Sequence, residues 1–154
     1  MSMIMFGGGC FWGVEEAFRK LKGVTKTEVG YSGGSRAAPT YEQVCSKKTG
    51  HAEVVRVHFD ESVISVDELL DVFWKAHVPT EINRQGPDVG EQYRSAIFYY
   101  SDEQKKIIEM SRKIEQKKYD EEIVTQIKMA GPFYKAEEYH QQYLAKRGLR
   151  GCHL

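Results

Sequence analysis

A chain of 154 residues, 41% of them hydrophobic, is long enough to bury one core and short enough for a single domain. Its 22 basic and 22 acidic side chains cancel, so no strong field draws it to nucleic acid or an anionic membrane, and neither is expected as a partner. No apolar run approaches the ~20 residues of a membrane span, the start lacks a basic signal region, and three widely spaced cysteines make no disulfide framework, so a reducing, cytoplasmic setting is expected.

Met3-Ile4-Met5-Phe6 reads as a strand, and Val14, Ala17, Phe18 and Leu21 repeat at the spacing of an amphipathic helix. Between them lies Gly7-Gly8-Gly9-Cys10-Phe11-Trp12-Gly13. The glycines allow backbone conformations and close approaches that other residues forbid. Cys10 stands at the helix start, where unpaired N–H groups and a partial positive charge favour thiolate over thiol. Two large aromatics directly after it predict walls of an apolar pocket beside a nucleophile. The third glycine is misplaced for a dinucleotide-binding turn. The next Arg is Arg19, too far into the helix for a phosphate-cleaving thiol loop, and Gly13 removes any Cys-x-x-Cys pair.

Residues 24–31 predict a second strand, and 32–50 a long loop rich in Gly, Ser, Thr and Lys. Residues 52–60 alternate, with Glu53, Val55, Val57 and Phe59 on the core side of a strand. A carboxyl there is desolvated, which raises its pKa, and an acid kept protonated near neutral pH can serve as a general acid. Ser65 and Glu68 form a capping box before a helix carrying Val66, Leu69, Leu70, Phe73 and Ala76. A second long irregular segment covers 78–94, and 96–100 is a strand. Ser101 and Gln104 open a charged helix with a thin apolar stripe of Ile107, Met110 and Ile114. A short strand is expected at 122–126, a last helix at 136–146 with Tyr139 and Tyr143 a turn apart, and a mobile tail from about 148.

The first six elements run β-α-β-β-α-β. This predicts an α+β fold, a ferredoxin-like two-layer sandwich with an antiparallel sheet, helices on one face, long functional loops and a C-terminal extension. The whole chain, 1–154, is expected to be one catalytic domain.

Gly9-Cys10-Phe11-Trp12-Gly13 resembles the signature of the A-type peptide methionine sulfoxide reductases. So do Gly30-Tyr31-Ser32-Gly33-Gly34, Tyr41-Glu42-Gln43-Val44, Thr49-Gly50-His51-Ala52-Glu53, and the run from Asn83 through Gly86-Pro87-Asp88 and Gln92-Tyr93-Arg94 to Ser95, in the family's order. The resemblance implies that Cys10 attacks the sulfoxide sulfur while Glu53 gives a proton to the oxygen, leaving methionine and a Cys10 sulfenic acid. It places the oxygen-binding tyrosines on Tyr41 and Tyr93 and the site-supporting Asp on Asp88. Phe11 and Trp12 would hold the substrate methyl. A second thiol then condenses with the sulfenic acid and a thioredoxin dithiol reduces the disulfide. Either Cys45 or Cys152 could be that thiol; the family's recycling thiols sit in the C-terminal tail, which points to a Cys10–Cys152 disulfide and leaves Cys45 a small buried residue. Implied with this are the S epimer of methionine sulfoxide, free or in proteins, as substrate and thioredoxin as reductant. The chain is expected to be a monomer with no cofactor and no metal.

Two positions depart from the family pattern. Val78 stands where many members carry Asp, and Pro87 where many carry Asn; the first is expected to loosen its loop. The competing classes are a thiol peroxidase, which would need neither a protonated Glu nor a methyl-sized aromatic pocket, and a methionine-binding or redox-scaffold module that uses the aromatic turn as a peptide pocket.

Overall fold

The computed structural model describes residues 2–35, 39–45 and 49–146. Its strands are β1 (Ser2–Gly7), β2 (Val24–Ser32), β3 (Ala52–Phe59), β4 (Arg84–Gln85), β5 (Asp88–Val89), β6 (Ala96–Tyr99), β7 (Gln126–Met129) and β8 (Tyr134–Lys135). Its helices are α1 (Phe11–Arg19), α2 (Tyr41–Cys45), α3 (Val66–Ala76), α4 (Asp102–Gln116) and α5 (Tyr143–Lys146), with 3-10 turns at Glu91–Tyr93 and Glu138–His140. Six strands form one sheet in the order β7-β6-β1-β3-β2-β8, and β4 and β5 pair as a separate hairpin. The chain thus has a mixed α/β fold around a mixed sheet. The fully antiparallel sheet expected from sequence is corrected at one edge, where β7 runs parallel to β6. Among the described residues no helix is long and apolar enough to cross a membrane.

Alternation explains the sheet's main face. Ile4 and Phe6 of β1, and Val55, Val57 and Phe59 of β3, join Phe18 of α1 and Leu69, Leu70 and Phe73 of α3 in the main core. Phe6 stacks on Phe18 and on Phe73 at 4.7 and 5.0 Å between ring centroids. The opposite face buries a smaller cluster of Met5, Ala52, Val54, Ala96 and Phe98, covered by Phe133. The capping box expected at Ser65 and Glu68 is complete.

Several elements differ from the sequence expectation. On α4, Ile107 of the expected stripe packs against the core, but Met110 and Ile114 are 58% and 57% exposed. The inward face instead carries Gln104, Ile108 and Glu115, because polar groups fix the rotation: Gln104 Nε2 donates to the Met3 carbonyl, and Trp74 Nε1 donates to Ser111 Oγ. The strand expected at 122–126 lies at Gln126–Met129, where it can pair with β6. The helix expected over 136–146 is broken, since Gln142 takes a φ of +51°. Its two parts are held from outside, by Gln141 on β2 and by the Gln142 N–H on Glu15. The tail from 148 lies outside the described residues.

His77 caps α3 and ties three segments together. One ring nitrogen, Nδ1, lies 2.8 Å from the Phe73 carbonyl, and Nε2 lies 2.7 Å from Ser95 Oγ, which in turn meets Thr125 Oγ1 at 2.7 Å. A neutral ring satisfies the whole chain: Nδ1–H donates to the carbonyl and Nε2 accepts from Ser95. Burial, against a smaller opposing effect of the Phe73 carbonyl, lowers the His77 pKa from 6.5 to about 4.

This depression sets a stability window. Above the unfolded value the ring is neutral in both states; as pH falls, the unfolded chain gains a proton that the folded chain refuses. Stability is therefore lost between 6.5 and about 4, and at ~1.4 kcal/mol per pH unit the loss is about 3 kcal/mol. Denaturant unfolding of wild type at about pH 7 and about pH 4 reads this loss, and His77→Gln should lack it. Equal losses in both proteins would contradict the assignment.

Candidate active site

Cys10 is the N-cap of α1, held between the end of β1 and the first helical turn. Two distant segments close on this turn. A Cβ at Gly8 would stand 2.9 Å from the His77 ring, and one at Gly9 would stand 3.1 Å from Gln85 Cβ. Gln85 belongs to the β4–β5 hairpin and clamps the loop before it, donating from Nε2 to the Val78 carbonyl and accepting from the Val78 N–H. The loosening expected at Val78 is thus opposed, because both backbone polar groups of that residue are held by one amide.

The hairpin turn is Gly86-Pro87, since Gln85 pairs with Asp88. Gly86 has a φ of +56°, and proline fixes a negative φ at the next position. That combination suits a type II′ turn, in which only the first central residue needs a positive φ. Pro87 therefore fits the hairpin and leaves Asp88 on β5.

Glu53 enters from β3 and is 1% exposed, on the core side as its strand parity predicts. The N–H of Phe11, the residue after Cys10, donates to Glu53 Oε1 at 3.2 Å. This bond sets the carboxyl beside the nucleophile turn. The start of β3 is fixed by two glycine-containing motifs gripping each other. Gly34 N–H donates to His51 Nδ1, Ser35 N–H donates to the Thr49 carbonyl, and any Cβ at Gly34 would lie 2.4 Å from both Thr49 O and His51 N.

Tyr41 opens α2 and Tyr93 closes the 3-10 turn, so neither sits on the irregular loop expected from sequence. Both hydroxyls are held well above their ordinary pKa, chiefly by burial, and both lie within electrostatic reach of Glu53. The Tyr93 hydroxyl also feels Cys45, Asp88 and Cys10. The structure thus brings Cys10, Glu53, Tyr41, Tyr93 and Asp88 to one place, with both tyrosines kept as O–H donors. Cys152 lies outside the described residues. Cys45, expected to be a small buried residue, is half-buried: it ends α2 and hydrogen-bonds the Tyr41 hydroxyl. Burial raises the pKa of its thiol, against the lowering effect of that bond.

The two aromatics after Cys10 divide their work. Phe11 is buried among Tyr31, Tyr41 and His140. Trp12 is partly exposed, stacks on Tyr143 at 3.8 Å, and donates from Nε1 to His140 Nδ1 at 3.0 Å. Glu137 accepts from the Tyr31 hydroxyl and from the Tyr41 N–H. Residues 134–146 thereby lie over the site as a strap. Its residues Glu137, His140 and Gln141 were missed from sequence; the only available signal was the polar density of Glu137-Glu138-Tyr139-His140-Gln141-Gln142 where a closing helix should be apolar on one side. Among the described residues, no three His, Cys, Asp or Glu side chains come together as a metal-holding group.

The family model for peptide methionine sulfoxide reductase matches residues 2–154. The chain belongs to this family. A peptide methionine sulfoxide reductase MsrA of Methanothermobacter thermautotrophicus is 61% identical over 151 residues, covering 97% of this chain and 89% of the relative. The crystal structure of Mxr1 from Saccharomyces cerevisiae in reduced form superposes with a TM-score of 0.91 at 39% identity, covering 96% of this chain and 86% of that one. Mxr1 in complex with Trx2 gives a TM-score of 0.66 at 28% identity, over 92% and 84% of the two chains. The sulfoxide reductase fold accounts for the grip of β1, β3 and the hairpin on one cysteine.

The turn's tight approaches give a test. Gly8→Ala must displace a ring bonded at both nitrogens and is expected to cost ~1–3 kcal/mol. Gly131 has nothing within 4 Å of a built Cβ, so Gly131→Ala should stay within ~0.5 kcal/mol of wild type. Unfolding midpoints compare the two, and equal midpoints would contradict the close contact at Gly8.

Proposed function

We propose that this enzyme reduces the S epimer of methionine sulfoxide, free or in proteins, with Cys10 as nucleophile and Glu53 as general acid. The observation that carries this is the Phe11 N–H bond to Glu53, which joins a buried carboxyl to the residue after the thiol. The Cys10 sulfur attacks the sulfoxide sulfur, the proton of Glu53 goes to the departing oxygen, and the oxygen passes to Cys10. One thiol and one sulfoxide become one sulfenic acid and one thioether. The hydroxyls of Tyr41 and Tyr93 donate to the sulfoxide oxygen as charge builds on it. Trp12, backed by Phe11, receives the methyl group, and Asp88 supports the site from the hairpin.

In the second half, the Cys152 thiol attacks the Cys10 sulfenic acid, releasing water and forming a disulfide. A thioredoxin dithiol then reduces it by exchange. The Trx2 complex of Mxr1 supports that partner. The raised pKa of Cys45 favours its unreactive thiol form and supports Cys152 in this role. We read the chain as a cytoplasmic monomer and as one catalytic domain with a tail from about 148. We also read its centre as ferredoxin-like. The antiparallel order β6-β1-β3-β2 supports this, with α1 and α3 sharing one core.

Glu53→Gln keeps shape but has no proton to give, and should slow single-turnover methionine formation ~10²–10⁴-fold; a wild-type rate would remove Glu53 from the chemistry. Cys152→Ser should form one equivalent of methionine and then stop. Sustained turnover of that variant with thioredoxin would show that another thiol resolves Cys10.

A further inference from the structure

His140 is 1% exposed and sits at the centre of the aromatic side of the site. Its ring centroid lies 4.4 Å from that of Tyr41, 5.3 Å from Phe11 and 5.6 Å from Trp12. Tyr139 covers it at 4.0 Å. Its one hydrogen bond among the described residues is the Trp12 indole N–H donating to Nδ1 at 3.0 Å, and the buried Nε2 has no partner there. An indole N–H can only donate, so His140 must present a bare Nδ1 and carry its proton on Nε2.

We propose that His140 is a positioning residue: as the acceptor for Trp12 it fixes the indole ring that receives the substrate methyl. This rests on the sulfoxide reductase reading of the site. Trp12 has two restraints, the Tyr143 stack on its face and this bond at its edge. Stacking alone lets a ring slide and rotate in its own plane; the edge bond sets the angle.

The strap holds the acceptor rigid. Gln141 Oε1 accepts from the Val29 N–H at 2.8 Å, and its Nε2 donates to the Val29 and Ala136 carbonyls at 2.9 and 3.0 Å. The next amide, Gln142 N–H, is held by Glu15, whose other oxygen accepts from Thr27. His140 is thus pinned from its C-terminal side to β2 and α1 before it meets Trp12. Protonation of Nδ1 would set N–H against N–H and release the indole. The titratable groups facing the ring are Tyr41 from α2 and Tyr139 and Glu137 from its own segment, while α1 offers only Phe11 and Trp12. Burial lowers the His140 pKa, against the opposing charge of Glu137, which keeps the bare nitrogen in place at neutral pH.

Three proteins test this: wild type, His140→Phe, which keeps a ring but has no acceptor, and His140→Asn, whose Oδ1 can replace Nδ1. In His140→Phe the KM for methionine sulfoxide should rise about 3–10-fold, the range for one lost hydrogen bond, with kcat changed less. The indole ¹H–¹⁵N resonance of Trp12 should shift, while that of Trp74, bonded to Ser111, should not. His140→Asn should restore both readings and hold the Trp12 resonance constant at acid pH where wild type moves. Should His140→Phe fail to fold, the ¹⁵N resonances of His140 in wild type still decide: a bare Nδ1 and protonated Nε2 support the proposal. A protonated Nδ1 overturns it, and so does a His140→Phe variant with unchanged Trp12 resonance and KM. The resonances are read without turnover, so a wild-type enzyme inactive on methionine sulfoxide would defeat the functional reading and not this one.

Discussion

The Phe11 amide reaches 42 residues along the chain to Glu53, and the site is built on that hydrogen bond. It joins an orphan donor of a helix N-terminus to a carboxyl that strand parity drives into the core. Each end is held by something else. The helix end is fixed by the β1 turn, wedged between the His77 ring and the Gln85 side chain. The strand end is fixed by Thr49 and His51, four and two residues before Glu53, in the grip of Ser35 and Gly34. Burial of a carboxyl disfavours its charged form, and the proposed reaction draws on that carboxyl for the proton given to the sulfoxide oxygen.

The strap shows how the remaining polar burial is made tolerable. Glu15, Glu137 and Gln141 come from α1 and the C-terminal segment, and each satisfies backbone or hydroxyl donors of another element. Burial raises the pKa of Glu15, opposed by the Thr27 and Gln142 donors. These contacts carry the aromatic cluster of Phe11, Trp12, Tyr41, His140 and Tyr143 without a continuous helix. A regular helix over 136–146 would point its side chains by its own period; the break at Gln142 lets Gln141 reach β2 while Tyr143 turns back onto Trp12.

The parts legible in the sequence were those in which one local pattern decides the structure. Alternation over 52–60 placed Glu53, the glycine turn placed Cys10, and the capping box placed α3. Tyr41, Tyr93 and Asp88 carried no local signal of their own and entered only through the family resemblance. The misread helices share one cause, a polar group satisfied by a distant partner. The α4 stripe held only at Ile107, because Gln104 and Ser111 are satisfied by Met3 and Trp74. The last helix failed because Glu15 and Val29, over 100 residues away, claim its polar groups. His140 was invisible for the same reason: a lone histidine in a polar run says nothing about an indole N–H 128 positions before it.

The central claim is that the buried carboxyl beside Cys10 carries a proton ready for transfer. Difference infrared spectroscopy of wild type against Glu53→Gln near neutral pH reads this directly, through the carbonyl stretch of a protonated carboxyl. The account predicts that band in wild type, its absence in the variant, and its loss as the Cys10 sulfenic acid forms in the absence of reductant. A wild-type spectrum showing only ionised carboxylate at Glu53 would contradict it.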